Sequence, residues 1–182
     1  GNPEEPSRPK SRYPRVPHHE LDPKAAELLA QKYHVTGQSI RDAGIRWSGD
    51  GNHYLGRRVC LPIFGPDSQE RGTCYRSYEG AIPKAIIELR SPEDICSCWY
   101  KWQRVSKVLV IVEDQPSAIR LAPHCHSLAL LGTHLSDVKA QEIINAGYEK
   151  VIISLDNDAT FEAIKLQLKY RRKIKGLLVS GL

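Results

Sequence analysis

The chain has 182 residues, a formal net charge of +5 and five cysteines. That is long enough for one domain or two small ones with a real core, and mildly basic, which leans toward a polyanionic partner. An odd number of cysteines without paired spacing argues against a disulfide framework and for a reducing interior. No apolar run approaches the ~20 residues of a membrane-spanning helix, so a soluble, cytoplasmic protein with no membrane partner is expected. Methionine is absent even at position 1, which marks Gly1 and Asn2 as a processed start, an expression scar or the cut edge of a longer polypeptide.

Residues 1–20 are rich in Pro, Arg, Ser and Glu and read as a disordered tail or linker. Asp22 and Pro23 then supply an N-cap and a first-turn proline, and the spacing of Ala26, Leu29, Ala30 and Tyr33 predicts a helix to about Tyr33. A second short helix is expected over 39–43, closed by Gly44. From Ile45 the period changes. The runs 45–47, 53–55, 58–64 and 73–78 read as short antiparallel strands, with turns at 49–51, 65–68 and 79–80. Residues 21–104 therefore form a small α+β subdomain, within which 91–104 is open between loop, short strand and connector.

From Lys107 strand and helix patterns alternate. Strands are predicted at 107–113, 127–131, 150–155 and 175–180, with helices at 116–122, 136–146 and 159–172. Pro116 sits in the first turn of one helix, Ser136 caps the next and Gly147 closes it. The pattern over 105–182 is that of a small doubly wound parallel sheet flanked by helices.

Two of those strands end abruptly at acids. Val108–Val112 runs into Glu113 and Asp114, and Val151–Leu155 runs into Asp156, Asn157 and Asp158. Parallel strands joined by right-handed crossovers place their C-terminal ends on one edge, where ligands bind in open α/β sheets. Glu113, Asp156 and Asp158 are thus expected to converge. An acid after a strand is often only the N-cap of the next helix, and Asp158 alone is open to that reading; it does not explain Glu113 and Asp156 at two strand tips. Clustered carboxylates repel unless a cation compensates. Hard oxygen donors without a histidine or cysteine set suit Mg²⁺ or Mn²⁺, which also bind substrate phosphates.

The stretches Glu113-Asp114-Gln115-Pro116-Ser117-Ala118, Leu130-Leu131-Gly132-Thr133 and Leu155-Asp156-Asn157-Asp158-Ala159 together resemble the Toprim domain in its primase form, the family of DnaG-type primases and bacteriophage primase-helicases. The resemblance maps the family's metal-binding glutamate to Glu113 and its paired aspartates to Asp156 and Asp158. Two positions depart from the commoner pattern: Asp114 stands where many members have Gly, and Ser117 where many have Asp, a variant associated with phage members. A further acidic motif of the family would begin where this sequence stops, at Gly181 and Leu182. Upstream, Gly72-Thr73-Cys74-Tyr75-Arg76 and Ile82-Pro83-Lys84 resemble the primase segment that precedes the Toprim fold, in which the basic residues face the metal and contact nucleotide or template phosphates. The resemblance spans roughly residues 55–180. It implies an RNA primase catalytic core of phage type: Mg²⁺-dependent nucleotidyl transfer from ribonucleoside triphosphates on a single-stranded DNA template, with Glu113, Arg76 and Lys84 catalytic. A replicative helicase is the partner it implies, in the cytoplasm of a bacterial host.

The basic run containing Lys169, Arg171 and Arg172 is a candidate contact to template backbone, weighed against a solvated helix end whose cations favour the helix dipole. His124-Cys125-His126 and Cys96-Ser97-Cys98 do not offer the four-ligand spacing of structural zinc. Trp47, Trp99 and Trp102 are either base-stacking or core residues. The Asp156-x-Asp158-x-Thr160 run also fits a haloacid-dehalogenase phosphatase, but that fold needs a long α/β domain after the motif. A topoisomerase needs a tyrosine nucleophile in a large separate domain. A Toprim-type metal-dependent nuclease and a non-catalytic nucleic-acid-binding replication module remain as alternatives.

Overall fold

The two halves of the chain build two different sheets. The computed structural model describes residues 18–49, 57–77 and 79–180. The first sheet contains β1 (His19–Glu20), β2 (Arg46–Trp47), β3 (Arg58–Phe64), β4 (Glu70–Ser77) and β5 (Ala85–Leu89), in that order and antiparallel throughout. Between β1 and β2 lie α1 (Pro23–Tyr33) and α2 (Gly37–Asp42). The second half comprises β6 (Cys98–Tyr100), β7 (Val108–Val112), α3 (Gln115–Leu121), β8 (His126–Ala129), α4 (Asp137–Ala146), β9 (Lys150–Ile153), a 3-10 turn (Asn157–Ala159), α5 (Thr160–Tyr170) and β10 (Leu177–Val179). Its sheet order is β10-β9-β7-β8-β6, parallel except for β6, which runs antiparallel to β8. This is the expected α/β class: a parallel sheet flanked by helices, preceded by a smaller α+β half. Among the described residues no helix is long and apolar enough to cross a membrane.

Strand alternation sends side chains to two faces. On β7, Leu109 and Ile111 join Leu128, Leu130, Val151 and Ile153 against Ala140 and Ile143 of α4 and Ala163 and Tyr170 of α5. Val110 and Val112 turn the other way, with Ala129, toward Ala118 and Ile119 of α3. That second core also takes Leu61 and Ile63 of β3, Cys74 of β4 and Tyr33 and Ile40 of the first helices. One core therefore spans both sheets and fixes the first half on one face of the second. Each fully buried Leu or Ile in it contributes about 1.5–3 kcal/mol.

Polar ties cross the same boundary. Arg71 of β4 donates to both carboxylate oxygens of Glu142 on α4 and to the Ile95 carbonyl at 3.3 Å. The Gln115 amide donates to the Pro62 carbonyl at 2.9 Å, and Arg120 donates to the Tyr33 carbonyl at 2.9 Å.

Three of the helix ends are those expected from the sequence. Asp22 accepts from the Ala25 N–H at 2.8 Å, Ser136 accepts from the Lys139 N–H, and Gly147 closes α4 at φ 70°. Several details differ from the sequence reading. α2 starts two residues earlier than expected because Thr36 accepts from the Ser39 N–H at 3.0 Å and so sets its own cap. β5 was not legible: its residues Ala85-Ile86-Ile87-Glu88-Leu89 alternate weakly and are held by the ladder to β4. The open segment 91–104 contains the fully buried β6, so the second sheet begins before residue 104. His19 and Glu20, expected in the tail, pair with Trp47 and Arg46. The expected strand at 53–55, residues 1–17, Asp50 with Gly51, Tyr78 and residues 181–182 lie outside the described residues. Trp99 is a core residue, stacked on Tyr148 with centroids 6.4 Å apart.

Candidate metal centre

β7 and β9 are adjacent and parallel, so both deliver their last residues to the same edge. The chain leaves β7 at Glu113 and leaves β9 through Ser154, whose N–H donates to the Ile111 carbonyl at 2.8 Å, and Leu155. Asp156 is extended (φ −60°, ψ 156°) and Asp158 lies in the 3-10 turn that enters α5. As a result one carboxylate oxygen each of Glu113, Asp156 and Asp158 lies within 4.8 Å of the others. The three predicted ligands meet. Glu113 Oε1 also accepts from the Asp156 backbone N–H at 3.1 Å, which fixes its direction across the gap.

Electrostatics at this point favour a cation. Burial raises the Glu113 carboxyl above its usual range, and the negative charges of Asp156 and Asp158 push it the same way, partly offset by the Asp156 N–H. Three hard oxygen donors, two of them exposed, leave room for the waters that Mg²⁺ retains. The residues present fit that ion. After β8 the chain turns sharply at Leu131 (φ 58°) and Gly132 (φ 145°), and the Gly132 N–H donates to the Glu113 carbonyl at 3.3 Å. Only glycine adopts that second conformation readily, so Gly132 shapes the rim beside Glu113.

Arg76 approaches from the first sheet. It faces the shared core from β4, with its guanidinium 3.7 Å from Asp114 Oδ2. Asp114 does two things: Oδ1 caps α3 by accepting from the Ser117 N–H at 2.9 Å, and Oδ2 faces Arg76. In the sequence Asp114 stands out only as a departure from glycine; the spacing Asp114-x-x-Ser117 is the signal that could have shown its cap, whereas its partnership with Arg76 needed the tertiary structure. Nearby, the Tyr33 phenol is buried with no hydrogen-bond partner among the described residues, and burial pushes it up to about 12.

Lys84 is exposed just before β5, and its carbonyl accepts from the Ser77 N–H at 2.9 Å, one residue beyond Arg76. Its side chain does not join the carboxylates. The basic helix end is farther off. α5 begins beside Asp158 and runs 11 residues before Arg171, about 16 Å of helix. There Lys169 is 3.7 Å from Asp137 and lies over the Tyr170 ring, while Arg171 and Arg172 are exposed.

No protein-family model matches the sequence, and no curated protein matches it. Solved structures do match. A DnaG primase catalytic domain bound to ssDNA is 18% identical with a TM-score of 0.63, over 89% of this chain and 67% of that one. The Escherichia coli primase catalytic core is 18% identical at TM-score 0.63, over 88% and 68%. The Aquifex aeolicus primase, with zinc-binding and RNA polymerase domains, is 19% identical at TM-score 0.62, over 81% and 46%. The chain has the fold of a DnaG-type primase catalytic core. It spans about two thirds of the first two proteins and under half of the third. Within this primase fold the likeness extends across both sheets, so the upstream half that carries Arg76 belongs to it as well as the acidic edge.

Proposed function

We propose that this chain is the catalytic core of an RNA primase, joining ribonucleotides on a single-stranded DNA template. The observation that carries the reading is the convergence of Glu113, Asp156 and Asp158 on one sheet edge of a primase-type fold, with Arg76 facing the adjoining Asp114. Glu113, Asp156 and Asp158 would hold Mg²⁺ or Mn²⁺. When bound, such an ion supplies the positive charge that polarises phosphoryl oxygens and offsets the leaving pyrophosphate. Asp156 aims Glu113 through its backbone N–H. Asp114 holds the Arg76 fork near the site, where a guanidinium can take two phosphate oxygens at once. Lys84, on the exposed turn beyond Arg76, would meet nucleotide or template phosphates as a point charge. Lys169, Arg171 and Arg172, at the far end of α5, enter only as an outlying phosphate contact for the template. The Glu113-Asp114-x-x-Ser117-Ala118 variant supports a phage-type setting, with a replicative helicase as partner.

The test is Mg²⁺-dependent incorporation of a labelled ribonucleotide on single-stranded DNA, with the unaltered chain and with Glu113→Gln. Synthesis by the first and its loss in the second are expected. Equal synthesis by both removes Glu113 from the reaction. Cleavage of DNA or RNA without triphosphates would assign a nuclease instead, and neither reaction would leave a nucleic-acid-binding module.

A further inference from the structure

The outward face of α5 carries a pattern that solvation alone does not account for. The helix buries Ala163 and Tyr170. On the opposite side Phe161, Lys165 and Leu168 follow one another at i, i+4 and i+7, one stripe of the helix, and Arg172 lies just beyond its end. Phe161 is 67% exposed and Leu168 56%. Apolar residues exposed singly are ordinary, but grouped ones mark contact surfaces.

We propose that this face docks an acidic amphipathic helix of a partner protein. The partner's apolar residues would cover Phe161 and Leu168, and its carboxylates would meet Lys165. Charge chooses among occupants. The stripe itself is cationic wherever it is not apolar, and the acid beside it, Glu162, is already 3.6 Å from Lys165. A second copy in two-fold contact would set these cations against each other. Single-stranded nucleic acid is favoured by aromatic rings open to stacking, yet the Lys165 ammonium lies 4.6 Å from the Phe161 ring centroid and Leu168 offers bases nothing to stack on.

The experiment measures fluorescence anisotropy of labelled helical peptides of about four turns. One carries leucines at i and i+7 with glutamates at i+4 and i+11; a second has lysines for the glutamates; a third has serines for the leucines. The first alone should bind the unaltered chain. Phe161→Ser with Leu168→Ser should weaken it roughly tenfold or more, and Lys165→Glu should weaken the acidic peptide while admitting the lysine peptide. Circular dichroism and thermal melting verify that these surface variants fold. Failure of the first peptide to bind, or binding unchanged by the double substitution, overturns the proposal. So does a dimer lost in the double variant, which would give the face to a second copy. Displacement by oligo(dT), together with loss of DNA affinity in the double variant, would give it to nucleic acid.

Discussion

Replacing Asp156 by Asn removes one charge from three carboxylates whose ligand oxygens lie within 4.8 Å of one another. Two unit charges at that spacing repel by about 1 kcal/mol at the dielectric of water, the appropriate limit for side chains this exposed. Asp156 and Asp158 stay close in the unfolded chain, so chiefly the pair formed with Glu113 on folding counts, and the relief is about 1 kcal/mol. For a chain of 182 residues that raises Tm by about 2–4 °C at low salt, and by less at 0.2 M, where screening shortens the interaction. Protonation follows the same logic. A carboxyl raised in the folded state, as Glu113 is, binds its proton more tightly there than in the unfolded chain. The metal-free protein therefore loses stability as pH rises through the folded value of Glu113 and regains it on acidification. Asp156→Asn removes one cause of that shift and flattens the dependence. Saturating Mg²⁺, at about 100 times its Kd, should add about 2.7 kcal/mol to the unaltered chain, and most of this should vanish in the variant. Thermal unfolding followed by circular dichroism, with EDTA or Mg²⁺ across a pH series, reads all three effects. A Tm lowered by several degrees, or an undiminished response to Mg²⁺, would refute the reasoning.

Other sites give sharp tests. Arg71→Met strands the Glu142 carboxylate in a contact where the two side chains are only 15% and 13% exposed, costing about 3 kcal/mol in urea unfolding; adding Glu142→Leu should recover part of it, and strictly additive costs would show that the pair is not coupled. Gly176→Ala should cost at least about 2 kcal/mol, because φ is 65° and the new Cβ would stand 2.2 Å from the Glu149 carbonyl oxygen. Gly147→Ala, at φ 70° but with open space around it, should cost only about 1 kcal/mol; equal losses at the two glycines would discount the contact. Lys84→Ala should raise KM for nucleotide or weaken template binding without lowering Tm, and unchanged KM and rate would retire its role.

Local chemistry wrote much of this protein into its sequence. The β-branched runs ending at Glu113 and Asp156 specify buried parallel strands, since a strand covered on both faces has no polar side to show, and parallel strands in turn bring those acids to one edge. Asp22, Pro23, Ser136 and Gly147 mark helix ends because capping depends on the nearest few backbone groups alone. The triad was legible for both reasons. β5 and β6 were not, because a strand held by its neighbours needs no strong pattern of its own. Nor was the Arg76–Asp114 contact, between β4 and the N-cap of α3, 38 positions later, nor the Arg71–Glu142 tie between β4 and α4. Such pairs depend on how the two sheets pack against their shared core. Residue spacing sets which face a side chain takes; only packing decides what it finds there.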